Sequence, residues 1–420
     1  MLREIRERVA DPNIYRIYAT TFALGVAYGL AISVLAVYLD QRGFTEIAIG
    51  KLAAWFAAGL VCLSLPLGWF IRRFSAKTTL AASLFGYAVT VSLFPLLDSF
   101  RSIAAVRFVD GACSVGVWVS SETLLLMRAR RDHKAFVTSL YAIAIAVGYV
   151  VGPLAARLAT AVMPLSYTFE VSGVLALLTS IYAALRIEKD PIGATGYSQE
   201  SAHAPAEHAS TAGLLWRIKT SCFATFAYGY FQASVVLFLP LFLMKSKGIV
   251  KEQTILIPAF FAAGMLLFSN YAGRLGDRHG HLGVMRVLAT IGLSMILGFV
   301  YLDSYAMMCA AVFVAGASLA SISPVSLALQ GVISSEHGRA TSLYNAFYAV
   351  GILLGPLASS VLFESRGGAA MLFHLAALWV GFVLFSIVFY RDDPAVQRRR
   401  AGKSAPPLDA LLAENHREAE

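Results

Sequence analysis

The chain is built from apolar runs of about twenty residues or more, separated by short polar connections. A helix of roughly 20 apolar residues crosses the hydrocarbon core of a bilayer. The runs fall at 15–39, 47–70, 78–97, 103–126, 136–158, 166–187, 215–244, 254–273, 283–302, 305–332, 339–363 and 370–390. They are too long for barrel strands and lack period-two alternation. They predict an all-α membrane protein with twelve transmembrane helices. Charged residues make up 14% of the chain and hydrophobic residues 58%, whereas a soluble domain carries about a quarter charged residues. The four cysteines, Cys62, Cys113, Cys222 and Cys309, all lie inside the runs without metal-type spacing. They read as small core residues, and no metal site is expected.

The formal net charge of +9 invites a nucleic-acid reading. The basic residues instead form short clusters between apolar runs, which is how membrane topology is written, so no nucleic-acid partner is expected. With the N-terminus placed inside, most of the 34 Lys and Arg fall on the inner side, among them Arg72, Arg73, Lys77, Arg128, Arg130, Arg131 and Lys134. Both termini are therefore expected in the cytoplasm. The loop with Lys245, Lys247 and Lys251 is the exception. Asp40 and Glu170 fall at outer helix ends and are expected to be solvated. The first run follows a charged amphipathic start and is too long for a cleaved leader.

The longest connection, 188–213, is rich in Ala, Ser, Gly and His and shows no apolar period. It reads as a flexible linker between an N-terminal six-helix bundle, 1–187, and a C-terminal one, 214–391. His203 and His208 lie in it, and two lone histidines do not make a metal site. The tail 392–420, with Arg398, Arg399 and Arg400, is expected to be disordered in the cytoplasm; its basic cluster fixes topology or touches anionic lipid.

The two halves repeat. Phe56-Ala57-Ala58-Gly59 returns as Phe261-Ala262-Ala263-Gly264, 205 residues on. Thr138-Ser139-Leu140-Tyr141 returns as Thr341-Ser342-Leu343-Tyr344, 203 residues on. Gly148, Gly152 and Pro153 correspond to Gly351, Gly355 and Pro356. A duplicated six-helix unit is what alternating access requires, since two similar bundles rock about one central site.

Gly273-Arg274-Leu275-Gly276-Asp277-Arg278-His279-Gly280-His281 follows the eighth run. It resembles the G-x-L-a-D-r-x-G-r/k signature of the major facilitator superfamily. By that resemblance Gly273, Asp277, Arg278 and Gly280 form a loop that latches the halves in the outward-facing state. The first-half counterpart is degenerate: Gly68 and Arg73 match, but Arg72 stands where the acid belongs. Glu122 is either a substitute partner for Arg72 or Arg73 or a solvated charge at a helix end. Arg107-Phe108-Val109-Asp110-Gly111 resembles the family's R-x-x-x-G motif, linked there to proton transfer. Gly148, Gly152 and Pro153 resemble its G-x-x-x-G-P antiporter motif. Their repetition at Gly351, Gly355 and Pro356 favours a general packing role for all six. The resemblance covers the whole chain and points to a bacterial drug or metabolite efflux branch in the inner membrane, usually monomeric.

Arg107 and Asp110 stand three apart, on one helix face. An ionisable group at this depth costs roughly 2.5–3.5 kcal/mol on insertion scales, which makes it a functional candidate. Asp110 is either the proton carrier, balanced against Arg107, or half of a permanent structural ion pair. Tyr28, Tyr228, Gln232, Asn345 and Tyr348 are the neutral candidates for orienting a solute, or else tie helices together. Tyr141, Tyr149 and Tyr344 read as packing residues, and His374 as a peripheral candidate.

The sequence shows no G-x-x-x-x-G-K-[ST] loop and no catalytic or cofactor motif, so neither an enzyme nor an ATP-driven pump is expected. The expectation is a secondary transporter of a small amphipathic solute, exporting it against a proton gradient with no cofactor. Its expected partners are that solute and the lipid bilayer. A proton symporter importing a sugar, an organic acid or another nutrient, and a non-transporting membrane sensor, are the alternatives.

Overall fold

The computed structural model describes Val9 and residues 11–64, 66–130, 133–188, 210–333, 337–393 and 396. All regular structure among these residues is helical. Twelve helices are long and apolar enough to cross a membrane: α1 (Pro12–Gln41), α2 (Glu46–Ser64), α3 (Ala76–Leu96), α4 (Phe100–Arg128), α5 (Phe136–Thr160), α6 (Leu165–Arg186), α7 (Thr211–Lys247), α8 (Lys251–His279), α9 (His281–Phe299), α10 (Tyr305–Ile333), α11 (Arg339–Arg366) and α12 (Gly368–Val388).

The boundaries correct the sequence reading in three places. The second span stops at Ser64, and a separate short helix, Leu67–Phe74, follows Pro66 and carries Gly68, Arg72 and Arg73. Residues 273–279, expected in a loop, complete α8. The turn into α9 is made by Gly280 alone, at φ 100°, a conformation a side chain disfavours. Residues 211–213, assigned to the linker, open α7 behind Ser210, whose hydroxyl accepts from the Gly213 N–H. His203, His208, Arg131, Arg398, Arg399 and Arg400 lie outside the described residues.

The two halves pack by one plan. In the first, α1 lies on α5 and α6, α2 on α4, and α3 on α4 and α6. In the second, α7 lies on α11 and α12, α8 on α10, and α9 on α10 and α12. Glycines set the closest crossings, because they let backbones meet. A Cβ on Gly148 would stand 2.8 Å from the Gly25 Cα, and one on Gly152 would stand 2.6 Å from the Gly29 Cα. At the matching α7–α11 crossing, a Cβ on Gly355 would stand 2.9 Å from the Tyr230 Cα. The α2–α4 crossing uses Gly59 and Gly111, and the α8–α10 crossing uses Gly264 and Gly316, each 205 residues on. Pro153 and Pro356 sit inside α5 and α11, where each removes one backbone donor. The glycine motifs are thus packing seams in both halves.

The halves meet through α2 against α11 and α5 against α8. The hydrogen bonds and ion pairs that join described residues of the two halves lie at the end remote from the linker. Lys245 of α7 reaches Asp40 at 2.6 Å and Glu46 at 2.7 Å. The Glu364 carboxylate accepts from the Ile47 N–H at 2.8 Å, and Arg157 donates to the Glu252 carbonyl at 3.3 Å. A Cβ on Gly50 would lie 2.6 Å from the Pro356 carbonyl. Asp40 is therefore a cross-half ion-pair partner, contrary to the solvated role expected of it. Lys247 pairs with Asp303 at 3.1 Å and Lys251 with Glu252 at 3.8 Å, so the basic loop that broke the charge rule has all three of its lysines matched by acids. At the linker end Asp277 and Arg278 are exposed, and Asp277 lies 3.2 Å from His281 of its own half.

Candidate functional site

A cavity of about 290 Å³ lies between the halves, lined by both. Its first-half wall is largely aromatic: Tyr28 from α1, Phe56 from α2, Trp118 from α4 and Tyr149 from α5. Among the described residues, Arg107 is the one formally charged side chain on the lining. The second-half wall is aliphatic, with Val236, Leu237, Met265 and Ile352 beside Phe261. Two polar groups interrupt it, Gln232 and Tyr348, and the Tyr348 hydroxyl donates to the Gln232 amide oxygen at 2.8 Å. Pro153 and Pro356 line the cavity as well, so the glycine–proline seams shape its walls.

Of the neutral candidates, Tyr28, Gln232 and Tyr348 line this cavity. Tyr228 stands behind Tyr348, stacked on it at 6.0 Å and buried. Asn345 is exposed one turn from Tyr348 and is not part of the lining. Tyr149, read as a packing residue, is on the wall. Tyr141 and Tyr344 keep their packing role. The Tyr141 hydroxyl meets Ser121 at 2.8 Å and that of Tyr344 meets Ser326 at 2.9 Å, and the Tyr344 hydroxyl also donates to the Ser323 carbonyl at 2.9 Å. His374 bonds the Tyr230 hydroxyl at 2.7 Å, away from the cavity.

Behind Tyr28 lies a second, smaller chamber of about 20 Å³ inside the first half. Tyr87, Thr90, Arg107 and Asp110 face it. It has room for about one water molecule. Arg107 and Asp110 form an ion pair, and both are buried. The guanidinium lies 4.3 Å from the Phe56 ring centroid, a cation–π contact. The second carboxylate oxygen of Asp110 faces Ser114 without a well-formed hydrogen bond between them, and Arg107 Nε has no partner among the described residues. A buried pair whose hydrogen bonds are incomplete is costly to maintain. Glu122 is exposed on α4, one turn past Trp118 and on the same face. Among the described residues no ion pair joins it to Arg72 or Arg73.

Sequence reasoning missed Phe56 and Trp118. The repeat offered a signal for the first, since Phe56 and Phe261 recur at one offset and both line the cavity. In the second half, 205 residues beyond Arg107 and Asp110, stand Val312 and Ala315. Among the described residues, the ion pair beside the cavity belongs to the first bundle alone.

The sequence model of the Major Facilitator Superfamily matches the chain twice, over residues 17–221 and 221–416. An MFS-type transporter of Methanocaldococcus jannaschii, MJ1560, is 20% identical over 384 residues, covering 90% of this chain and 96% of the relative. The MFS-type transporter YcaD of Shigella flexneri serotype 5b is 25% identical over 374 residues, covering 83% of this chain and 89% of the relative. The fold is shared with the nucleoside transporter NupG, at a TM-score of 0.73 and 13% identity over 90% of this chain and 99% of that one. It is shared also with a bacterial homologue of the human lysosomal transporter Spinster in an inward-facing, occupied conformation. There the TM-score is 0.72 and the identity 13%, over 94% of this chain and 98% of that one. With each half matched in turn and the whole architecture shared, the chain belongs to the Major Facilitator Superfamily and is a multi-pass membrane protein that works as a secondary transporter, not an enzyme.

Proposed function

We propose that this transporter exports a small amphipathic solute from the cytoplasm across a bacterial inner membrane, in exchange for protons, with both termini in the cytoplasm and as a monomer. The observation that carries this reading is the central cavity: apolar on both sides, with most of its rings on the first-half wall and a single ion pair at its edge. Such a lining suits a neutral or weakly charged body with one or two hydrogen-bonding groups better than a multiply charged one. Asp110 is the proton carrier, because it is buried, sits beside the cavity and has a counter-ion whose hold changes when a proton arrives. In the proposed orientation the rim bridged by Lys245 faces outward and the latch residues Asp277 and Arg278 face the cytoplasm, with no bond to the first half among the described residues. The solute then enters from the cytoplasmic side. When the cavity opens outward, Gly68, Arg72, Arg73, Gly273, Asp277, Arg278 and Gly280 close that entrance.

The test is pH change inside proteoliposomes as amphipathic compounds and nutrients are added in turn. Compound-driven proton movement opposite in direction to compound movement, lost in Asp110→Asn, is the expected result. Strong competition by a di-acid with none by neutral amphiphiles would overturn the solute class. Arg107 on the cavity wall favours one second reading, import of an organic acid with a proton. In that case compound and proton move in the same direction.

A further inference from the structure

The cavity and the chamber share four wall residues: Tyr28, Ile32 and Leu35 from α1, and Arg107 from α4. Asp110 faces only the chamber. A proton passing between Asp110 and the cavity must cross this wall. Ile32 and Leu35 offer it no polar atom. The Arg107 guanidinium carries donors but no acceptor and is held between Asp110 and the Phe56 ring.

Tyr28 remains. Its ring meets four others: Tyr149 at 5.9 Å, Trp118 and Tyr87 at 6.0 Å and Phe56 at 6.3 Å. Three of these, Tyr149, Trp118 and Phe56, also face the cavity. The fourth, Tyr87, stands on the chamber side and is buried, with its hydroxyl 3.4 Å from Ser172. The backbone at this point is pinned, because neighbouring Gly29 lies against Gly152 and Pro153, with 3.1 Å to each from a Cβ placed on it. The side chain can therefore move only about its own torsions. Anything that fills the cavity presses on the three outer rings and, through them, on the ring they share.

We propose that Tyr28 is the gate between the solute cavity and Asp110: seated on Tyr87 it closes the chamber, and displaced by a solute it opens it. This rests on the reading of Asp110 as the proton carrier. The gate makes proton exchange at Asp110 conditional on solute, which is what separates coupled transport from a proton leak.

The test needs no identified solute. Purified protein in liposomes is exposed to a water-soluble carbodiimide, and the adduct on the Asp110 carboxyl is followed by mass spectrometry. Tyr28→Ala is expected to speed labelling about tenfold or more, since removing a ring from a close-packed wall merges the two spaces. Tyr28→Phe, which keeps the ring, is expected to label at the wild-type rate. Equal rates in wild type and Tyr28→Ala would overturn the gate. If thermal unfolding shows that Tyr28→Ala does not fold, Tyr28→Leu takes its place with the same expectation. Asp110→Asn in the compound-driven assay separates the two levels. Fast labelling in Tyr28→Ala together with proton movement that survives Asp110→Asn would leave the wall in place and overturn its role in coupling.

Discussion

The two bundles are built on the same crossings and furnished differently. At α4 the first bundle places Arg107 and Asp110. At the corresponding level of α10 the second places Val312 and Ala315, and just beyond them α10 widens into a π-helical turn at Gly316–Ala320. At the seam between its first and fifth helices the first bundle uses glycine on both sides, Gly25 and Gly29 against Gly148 and Gly152. The second also has glycine on both helices, Gly229 on one and Gly351 and Gly355 on the other, but there each glycine meets a residue with a side chain, Tyr348, Phe226 or Tyr230. The shared crossings are what a duplicated fold needs in order to pack. The differences collect around the cavity, where one wall carries four rings and a charge and the other carries two rings, an amide and mainly aliphatic side chains. In this molecule symmetry belongs to the scaffold, and the buried ion pair beside the cavity belongs to one half.

That comparison is most exposed at the ion pair. Arg107→Val alone copies the second bundle but leaves Asp110 buried without its partner. It is expected to cost about 3–5 kcal/mol, the range for breaking a buried pair, read as a lower unfolding midpoint in detergent. Arg107→Val with Asp110→Ala makes the first bundle resemble the second at both positions. The double variant is expected to recover most of that loss and to remain without compound-driven proton movement. A double variant as unstable as the single one would mean that the pair holds the bundle together.

A smaller effect tests the symmetry itself. Tyr141→Phe and Tyr344→Phe remove matching hydroxyls from matching serine contacts. Tyr141→Phe is expected to cost about 0.6–1 kcal/mol and Tyr344→Phe up to about twice that, because the Tyr344 hydroxyl also donates to the Ser323 carbonyl at 2.9 Å. Equal losses would show that this extra bond contributes nothing.

The smallest effect lies at the linker end. Asp11 caps α1 and accepts from Arg128 at 3.1 Å. Burial alone would push its carboxyl up, but the hydrogen bonds from Asn13 and Arg128 outweigh burial and hold it below the usual carboxylate range. A group depressed in the folded state contributes stability above its unfolded value and loses it as pH falls through the folded one. Asp11→Asn keeps a capping side chain and removes the charge. It is expected to cost about 0.5 kcal/mol at neutral pH, with the difference vanishing in acid. The second bundle anchors its own linker end through Lys219 and Asp392, 2.7 Å apart, and should not respond to the change.

Much of this was legible in the sequence, for identifiable reasons. Run length gave the spans, because a bilayer has a fixed thickness. Self-similarity gave the halves, and depth within a span singled out Arg107 and Asp110. What stayed hidden was which face of each helix looks inward. In water an apolar face marks the core, but in lipid the outer face is apolar too, so hydropathy cannot separate Trp118, on the cavity, from Trp69, which is 53% exposed. Tyr149 was misjudged for the same reason. Helix ends failed where polar residues continue a helix past the apolar run, as from Gly273 to His279. Asp40 looked solvated because its partner, Lys245, lies in the other half of the chain.

The rim that Lys245 closes has a consequence for anyone seeking to block this protein. Because the bonds that join the halves lie at the end remote from the linker, a competitive inhibitor is expected to reach the cavity more readily from the linker face than from the face that Lys245 bridges. Potency measured on inside-out and right-side-out vesicles should therefore differ for one compound on one binding site. The size of that difference reports how often the rim comes apart.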